Sequence, residues 1–186
     1  MPMRVISGTA RGRQLKLVPG EGTRPIMDRV KEVLFNILSD NIYGAAFLDL
    51  YAGTGSVGIE ALSRGAERVV FVENARLAIR TIEENLKATR LEDRAEIVRA
   101  DVFDYLGQTE PESFEYIYIA PPQYKELWLE TLKLIDQQPD HLFPDGMVIV
   151  QIDPQEKQEV ALEVLKPVDE RHYGNTLLWF FERPGE

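Results

Sequence analysis

Eleven consecutive residues, Leu48-Asp49-Leu50-Tyr51-Ala52-Gly53-Thr54-Gly55-Ser56-Val57-Gly58, combine an apolar run, an acid and a glycine-rich turn that leads into a helical pattern. Gly53, Gly55 and Gly58 fit G-x-G-x-x-G. In that pattern the glycines permit a tight strand-to-helix turn, let a ligand approach the backbone and let the helix pack closely on the strand. The chemistry this suits is the holding of a nucleotide-type cofactor. Such turns also serve simply to pack βα units, so this one takes its meaning from the acid before it and the segments after it.

The elements that must position this turn alternate along the chain. Phe47 to Leu50 reads as the first buried strand and Ile59 to Arg64 as the helix after the turn, with Gly65 ending it. Strands are then predicted over Arg68 to Val72, Ala95 to Val98, Tyr116 to Ile119 and Met147 to Ile152, with helices over Ala75 to Ala88 and Lys125 to Ile135. Repeated βα units imply parallel strands with right-handed crossovers, helices on both faces, and a ligand site at the carboxyl ends of the strands. Near the end, Val160 to Leu165 is apolar enough for a helix or a strand, and Thr176 to Glu182 is strand-like after Gly174-Asn175. Two late strands without a long helix between them pair antiparallel, as a hairpin at the sheet edge.

Ahead of the sheet, Arg4 to Ser7 and Gln14 to Val18 flank the basic turn Gly8-Thr9-Ala10-Arg11-Gly12-Arg13, which predicts an N-terminal β-hairpin. Pro19-Gly20-Glu21-Gly22 breaks the pattern, and Met27 to Leu38 has helical spacing. The expected division is a basic hairpin extension over 1–24 and the sheet domain over 25–186.

At 186 residues the chain is long enough for one domain that buries roughly 70% of its unfolded surface. It has no cysteine, which removes disulfides, cysteine zinc sites and a thiol nucleophile, and its two histidines are too few for a histidine-rich metal site. Residues 1–9 lack the apolar core of a signal peptide and no apolar run approaches the ~20 residues of a membrane span, so a cytoplasmic location without membrane contact is expected. The net charge of −10 is unevenly spread: residues 1–31 carry +5 and the remainder −15. That asymmetry suggests a basic arm that engages a polyanion on an acidic body; ordinary solvated arginines are the alternative.

Taken together, Asp49-Leu50-Tyr51-Ala52-Gly53-Thr54-Gly55, Glu73, Asp101 and Pro121-Pro122 resemble the S-adenosylmethionine-dependent methyltransferases. More narrowly, Arg4-Val5-Ile6-Ser7-Gly8, Arg11-Gly12-Arg13, Thr23-Arg24-Pro25, Asp28-Arg29-Val30, Leu34-Phe35-Asn36 and Ile59 to Ala66 resemble the RsmD family of 16S ribosomal RNA guanine-N2 methyltransferases. The resemblance covers nearly the whole chain. It implies a three-layer Rossmann-like α/β fold, a mainly parallel seven-stranded sheet with an antiparallel edge hairpin, S-adenosylmethionine as cofactor and 16S RNA as substrate, within a small-subunit ribonucleoprotein. A monomer is favoured.

For the cofactor, the resemblance implies that Asp49 and the backbone of Gly53 to Gly55 hold its amino-acid end, with Tyr51, Ala52, Thr54 and Ser56 completing the loop. A carboxylate suits an ammonium group and a sulfonium and would repel a pyrophosphate. Glu73, at the end of the next strand with Asn74 beside it, suits the two ribose hydroxyls; a helix N-terminal acid is the plainer reading. Asp101 would accept the adenine amino group while the Val102 amide approaches a ring nitrogen, or else Asp101 is a helix cap. Arg11, Arg13, Arg24 and Arg29 are assigned to RNA phosphates, which position RNA without selecting a base.

At the target end the chain departs from its relatives. The family carries Asn or Asp before Pro-Pro and an aromatic directly after it; here the run is Ala120-Pro121-Pro122-Gln123-Tyr124. The exocyclic amine of guanine is a poor nucleophile, so acceptors must grip its hydrogens and stabilise charge developing on nitrogen. The Ala120 and Pro121 carbonyls remain, a relocated acceptor would be Gln123 or Asp153, and Tyr124 could stack on an extruded base or simply pack on the surface. The alternative function is a non-catalytic RNA-binding or assembly factor on the same fold. A nicotinamide oxidoreductase rests on the glycine pattern alone.

Overall fold

The computed structural model describes residues 3–20 and 26–185. In chain order the elements are α1 (Asp28–Leu38), β1 (Ala46–Leu50), α2 (Ser56–Ser63), β2 (Arg68–Glu73), α3 (Arg76–Thr89), β3 (Ala95–Arg99), α4 (Val102–Leu106), β4 (Phe114–Ile119), α5 (Leu127–Gln137), β5 (Leu142–Ile152), β6 (Lys166–Tyr173) and β7 (Thr176–Glu182). They build one seven-stranded sheet in the order β3-β2-β1-β4-β5-β7-β6. The first five of these strands run parallel, and β7 pairs antiparallel with both β5 and β6. The chain winds outward from β1 to β3, then crosses to β4 on β1's other side. This places a topological switch point at the carboxyl ends of β1 and β4.

The central strands are apolar on both faces, as buried parallel strands must be. Phe47, Val69, Phe71 and Tyr118 face one core with Val30, Leu34, Ile59, Leu62 and Ile82. Leu48, Leu50, Val70, Val72, Ile117 and Ile119 face a second core with Leu106, Trp128, Leu132 and Ile135. The sheet is thus the middle of three layers, with α1, α2 and α3 on one side and α4 and α5 on the other. Among the described residues no helix is long and apolar enough to cross a membrane.

Three expectations change. The N-terminal hairpin is reduced to one antiparallel bridge, Arg4 with Gln14. The Val5, Gly12 and Leu15 amides donate across the turn to the Arg13, Val5 and Met3 carbonyls, while the amides of Ile6 and Ser7 donate to the Glu60 carboxylate, Ala10 N–H to Ser63 Oγ and Thr9 N–H to the Ser63 carbonyl, which ties the tip to α2. Met3, Val5, Ala10 and Leu15 of the arm are buried in the first core. At the other end, Val160 to Leu165 forms neither helix nor strand; the Asp136 carboxylate receives the amides of Glu163, Val164 and Leu165 and fixes that path. The edge strand instead begins at Lys166 and is largely exposed and charged, which blunts sheet-edge pairing and also erases the apolar alternation by which strands are read.

Candidate functional site

The glycine turn follows β1 at the switch point. Tyr51, Gly53 and Gly55 all have positive φ, of 59°, 57° and 80°, so the chain reverses sharply before α2. Gly58 meets the packing requirement: a Cβ there would lie 2.3 Å from Phe71 Cε1 and 2.9 Å from Val69 Cγ1 on β2. Space above Gly53 is open, with no atom nearer to a Cβ there than the Tyr51 carbonyl at 4.0 Å. The amides of Thr54 and Val57 find no acceptor among the described residues, which leaves two donors in the turn for a ligand.

Three carboxylates surround this turn, each differently placed. Asp49 is 1% exposed and its Oδ2 accepts the Gly58 amide at 3.1 Å. Burial pushes its pKa well above the ordinary carboxylate range, against the Gly58 hydrogen bond, and nearby Glu73 pushes it further. Asp49 therefore lies beneath the loop and reaches it through the Gly58 amide. Glu73, half-buried at the end of β2, accepts Gly53 N–H at 2.9 Å on Oε1 and the Asn74 and Ala75 amides on Oε2. It ties the turn to the start of α3, and the edge it presents is a carboxylate at the strand's carboxyl end. Asp101 is exposed and caps α4, with Oδ1 accepting from Phe103 and Asp104; Oδ2 has no partner among the described residues. The cap reading is thus real for one oxygen and leaves the other available beside Val102.

Tyr51 Oη is 2.8 Å from Thr131 Oγ1 on α5, and burial raises its pKa. Ala52 is buried, its amide bonded to the Val72 carbonyl. Ser56 is also buried, its Oγ accepting from Lys31 Nζ at 2.9 Å.

Across the switch point, Ala120 to Tyr124 follow β4. The carbonyls of Ala120 and Pro121 accept no hydrogen bond among the described residues. Gln123 is exposed. Tyr124 has φ 62° and is 61% exposed, yet it is held at both ends: its amide donates to Glu156 Oε1 and its hydroxyl to Asp153 Oδ2, each at 2.8 Å. Asp153 Oδ1 and Glu156 Oε2 close a capping box over the short helical turn Pro154–Glu156, accepting the Gln155 and Asp153 amides. Asp153 therefore acts here as the anchor of Tyr124. Glu156 is a residue that motif reading passes over, because its role comes from a contact 32 residues away.

The basic arm is more tightly bound than its composition suggests. Lys31, counted with the polyanion-facing charges, is 0% exposed: its Nζ donates to the Arg4 carbonyl at 2.6 Å and to Ser56 Oγ, and lies 3.4 Å from Glu60. Burial lowers its pKa, with Glu60 and Asp28 opposing that shift. Asn85, also buried, accepts Lys16 N–H and donates to the carbonyls of Lys16 and Thr54. Lys31 and Asn85 thus each join the arm to the cofactor turn. Their sequence signal is a polar residue within an amphipathic helix, which is indistinguishable there from a surface residue. Arg11, Arg13 and Arg29 are exposed, and Arg24 lies outside the described residues.

A doubly wound sheet with an acid-lined glycine turn after β1, a diproline loop after β4 and an antiparallel β7 between β5 and β6 defines the methyltransferase class of α/β folds. The family model described as "Conserved hypothetical protein 95" matches residues 3–182. The chain belongs to that family, the RsmD family of the resemblance above. It is 37% identical over 185 residues to "Putative rRNA methyltransferase YlbH" of Bacillus subtilis, covering 98% of this chain and all of that protein. To "Ribosomal RNA small subunit methyltransferase D" of Haemophilus influenzae it is 34% identical over 151 residues, 80% of this chain and 78% of the other. The solved structure of "Putative methyltransferase yhhF" from Escherichia coli superimposes over the full length of both chains with a TM-score of 0.86 at 29% identity.

Proposed function

We infer that this protein transfers a methyl group from S-adenosylmethionine to the exocyclic N2 of a guanine in small-subunit ribosomal RNA. The observation that carries the reading is the meeting, at one switch point, of a carboxylate-lined glycine turn and a loop with two unengaged carbonyls. The donor set suits a cationic ligand: Glu73 and the free Oδ2 of Asp101 offer acceptors to hydroxyl and amino groups, and the Thr54 and Val57 amides suit a carboxylate. A dinucleotide pyrophosphate would instead face Glu73 and Asp101, which counts against a nicotinamide enzyme.

When bound, S-adenosylmethionine supplies a methyl carbon made electrophilic by the adjacent sulfonium. Glu73, Asp101 and the Thr54 and Val57 amides would hold the cofactor so that guanine N2 could take up this methyl, with the neutral thioether as leaving group and one N2 proton passing to water. The chain's work is positional. The Ala120 and Pro121 carbonyls accept the two N2 hydrogens, which turns the lone pair toward the methyl group and stabilises charge as it develops on nitrogen. Tyr124, pinned by Asp153 and Glu156, offers a fixed aromatic face for an extruded base. Arg11, Arg13, Arg24 and Arg29 contact the RNA backbone. A ribonucleoprotein substrate and a cytoplasmic location go with this reading, as do a basic extension over 1–24 and a methyltransferase domain over 25–186.

One observation favours a second reading, an RNA-binding assembly factor without turnover: Ala120 has no side-chain acceptor. The deciding experiment is transfer of labelled methyl from S-adenosylmethionine to small-subunit particles lacking the modification, alongside naked RNA, with the nucleoside identified by mass spectrometry. N2-methylguanosine is the expected product. No incorporation, with cofactor and RNA binding both intact, would establish the binding factor.

A further inference from the structure

Away from the switch point, a cavity of about 410 Å³ opens between the arm and α1, lined by Arg4, Arg11 and Arg64, by Glu32 and Asn36, and by the backbone of Val5 to Ser7. Three guanidinium groups face one carboxylate there. The floor is more unusual than the rim. Arg64 is 13% exposed, its Nε donates to Glu60 Oε2 at 2.8 Å and its guanidinium lies over the Phe35 ring, while its two terminal amino groups have no partner among the described residues. Glu60 also faces Lys31, so this buried triad holds two cations to one anion.

The surplus charge lies at the largely buried Arg64 on the cavity floor, where solvent screens it less than at the exposed rim and an entering anion gains more from it. At the rim Arg11 is exposed with no ion pair among the described residues, and Arg4 is half-exposed, with only a 3.4 Å contact to Asp28. Glu32 and Asn36 are exposed positions one turn apart on α1, and Arg29 lies three residues before Glu32, so a further arginine continues the same helix face. Glu32 opposes an anion; the three arginines outnumber it.

We propose that this cavity is a phosphate site, built by Arg4, Arg11 and Arg64, that takes a phosphodiester of the substrate RNA and fixes the arm's register on it. The site rests on the RNA reading above and assigns it two residues, Arg4 and Arg64, that the arm's basic motif leaves out. A planar guanidinium fork recognises a phosphate's paired oxygens better than a point charge does. Arg64, fixed by Glu60 and Phe35, is already oriented for this.

The test compares the intact protein with the double variant Arg4→Gln/Arg11→Gln and the control Lys133→Gln, an exposed lysine on α5. RNA affinity is measured by fluorescence anisotropy against salt concentration, with a labelled fragment of small-subunit RNA. S-adenosylmethionine affinity is measured by calorimetry, and inorganic phosphate and guanosine monophosphate are titrated separately. The double variant is expected to lower the salt slope by roughly 1.4–1.8, since each lost phosphate contact removes about 0.7–0.9. It should bind cofactor as before, and the control should leave both readouts unchanged. An unchanged slope overturns the proposal, and if free phosphate or the mononucleotide still binds and is lost in the double variant, the cavity serves a free anion and not RNA. Wild-type protein that binds cofactor but no RNA would refute the functional reading itself, and the phosphate titration would then still decide whether the cavity holds an anion.

Discussion

Replacing Glu60 with alanine should unfold the arm side of the molecule well before the rest of its surface chemistry matters. The Glu60 side chain is fully buried and accepts four donors: the amides of Ile6 and Ser7 at 2.9 and 3.0 Å, Arg64 Nε at 2.8 Å, and Lys31 Nζ at 3.4 Å. Removal leaves two buried cations facing each other and two buried amides without acceptors. Breaking a buried pair in this way costs about 3–5 kcal/mol. For a domain of this size each kcal/mol lowers the melting temperature by about 2–4 °C, so a fall of roughly 6–20 °C is expected. The reference is Glu84→Ala, which removes the Lys16–Glu84 pair, whose side chains are 70% and 45% exposed; such a pair is worth about 0–1 kcal/mol. Thermal unfolding followed by circular dichroism separates the two, and amide hydrogen exchange at Ile6 and Ser7 reports whether the arm loosens first. A Glu60→Ala protein no less stable than Glu84→Ala would refute the assignment of the triad as the arm's clamp. Replacing Lys31 and Glu60 together with methionine should recover part of the loss, because one of the two cations goes with the carboxylate, while Arg64 and the Ile6 and Ser7 amides still lack their acceptor.

Gly58→Ala should cost about 1–3 kcal/mol through overpacking against Phe71 and Val69, and should weaken S-adenosylmethionine binding, because moving α2 shifts the amide held by Asp49; denaturation and calorimetry together check this, and unchanged affinity in a destabilised protein would detach the turn from cofactor binding. Tyr105 is pushed up to about 12 by burial, then by the charges of Glu112 and Glu96. Its folded form therefore keeps a proton that the unfolded chain releases near pH 10, and its contribution to stability, complete below that pH, is lost as pH rises toward 12. Tyr105→Phe should flatten the stability profile between pH 10 and 12, and a profile identical to the wild type would contradict it.

The parallel half of the sheet was legible because its signals are local: β1, β2 and β4 are short apolar runs bounded by turn residues, and Gly53, Gly55 and Gly58 mark the turn by residue type alone. What escaped was set by contacts distant in sequence. Lys31 reads as one more basic residue of the arm until Glu60, Ser56 and Arg4 close around it. The N-terminal segments have the pattern of strands and pair through the Val5, Gly12 and Leu15 amides, but beyond that pairing Glu60 and Ser63 hold the Ile6, Ser7 and Ala10 amides against α2. Strand β6 was invisible for the opposite reason: an exposed edge with Asp169, Glu170 and Arg171 has no buried face to impose alternation. In the site, Asp49 and Asp101 were found by position, while the direction each carboxylate faces was decided by amides at Gly58 and Phe103.

These hidden contacts join the arm to the glycine turn. Lys31 holds the Arg4 carbonyl with one hydrogen bond and Ser56 Oγ with another, and Asn85 spans from Lys16 to the Thr54 carbonyl. Both side chains are buried, so displacing the arm would leave polar groups of the cofactor turn without partners, at about 1–3 kcal/mol for each group stranded. An arm fixed in this way is ordered on folding, so on the proposed reading the entropy of ordering it does not fall on RNA binding. The same bonds align the turn before cofactor arrives. Orientation of a methyl donor against a weak nucleophile depends on such alignment, since a small misplacement at the reacting atoms costs far more than the contacts that prevent it. On the proposed reading the acidic body accommodates a cationic cofactor and the basic rim a polyanion, and Lys31 and Asn85 couple the two from inside the fold.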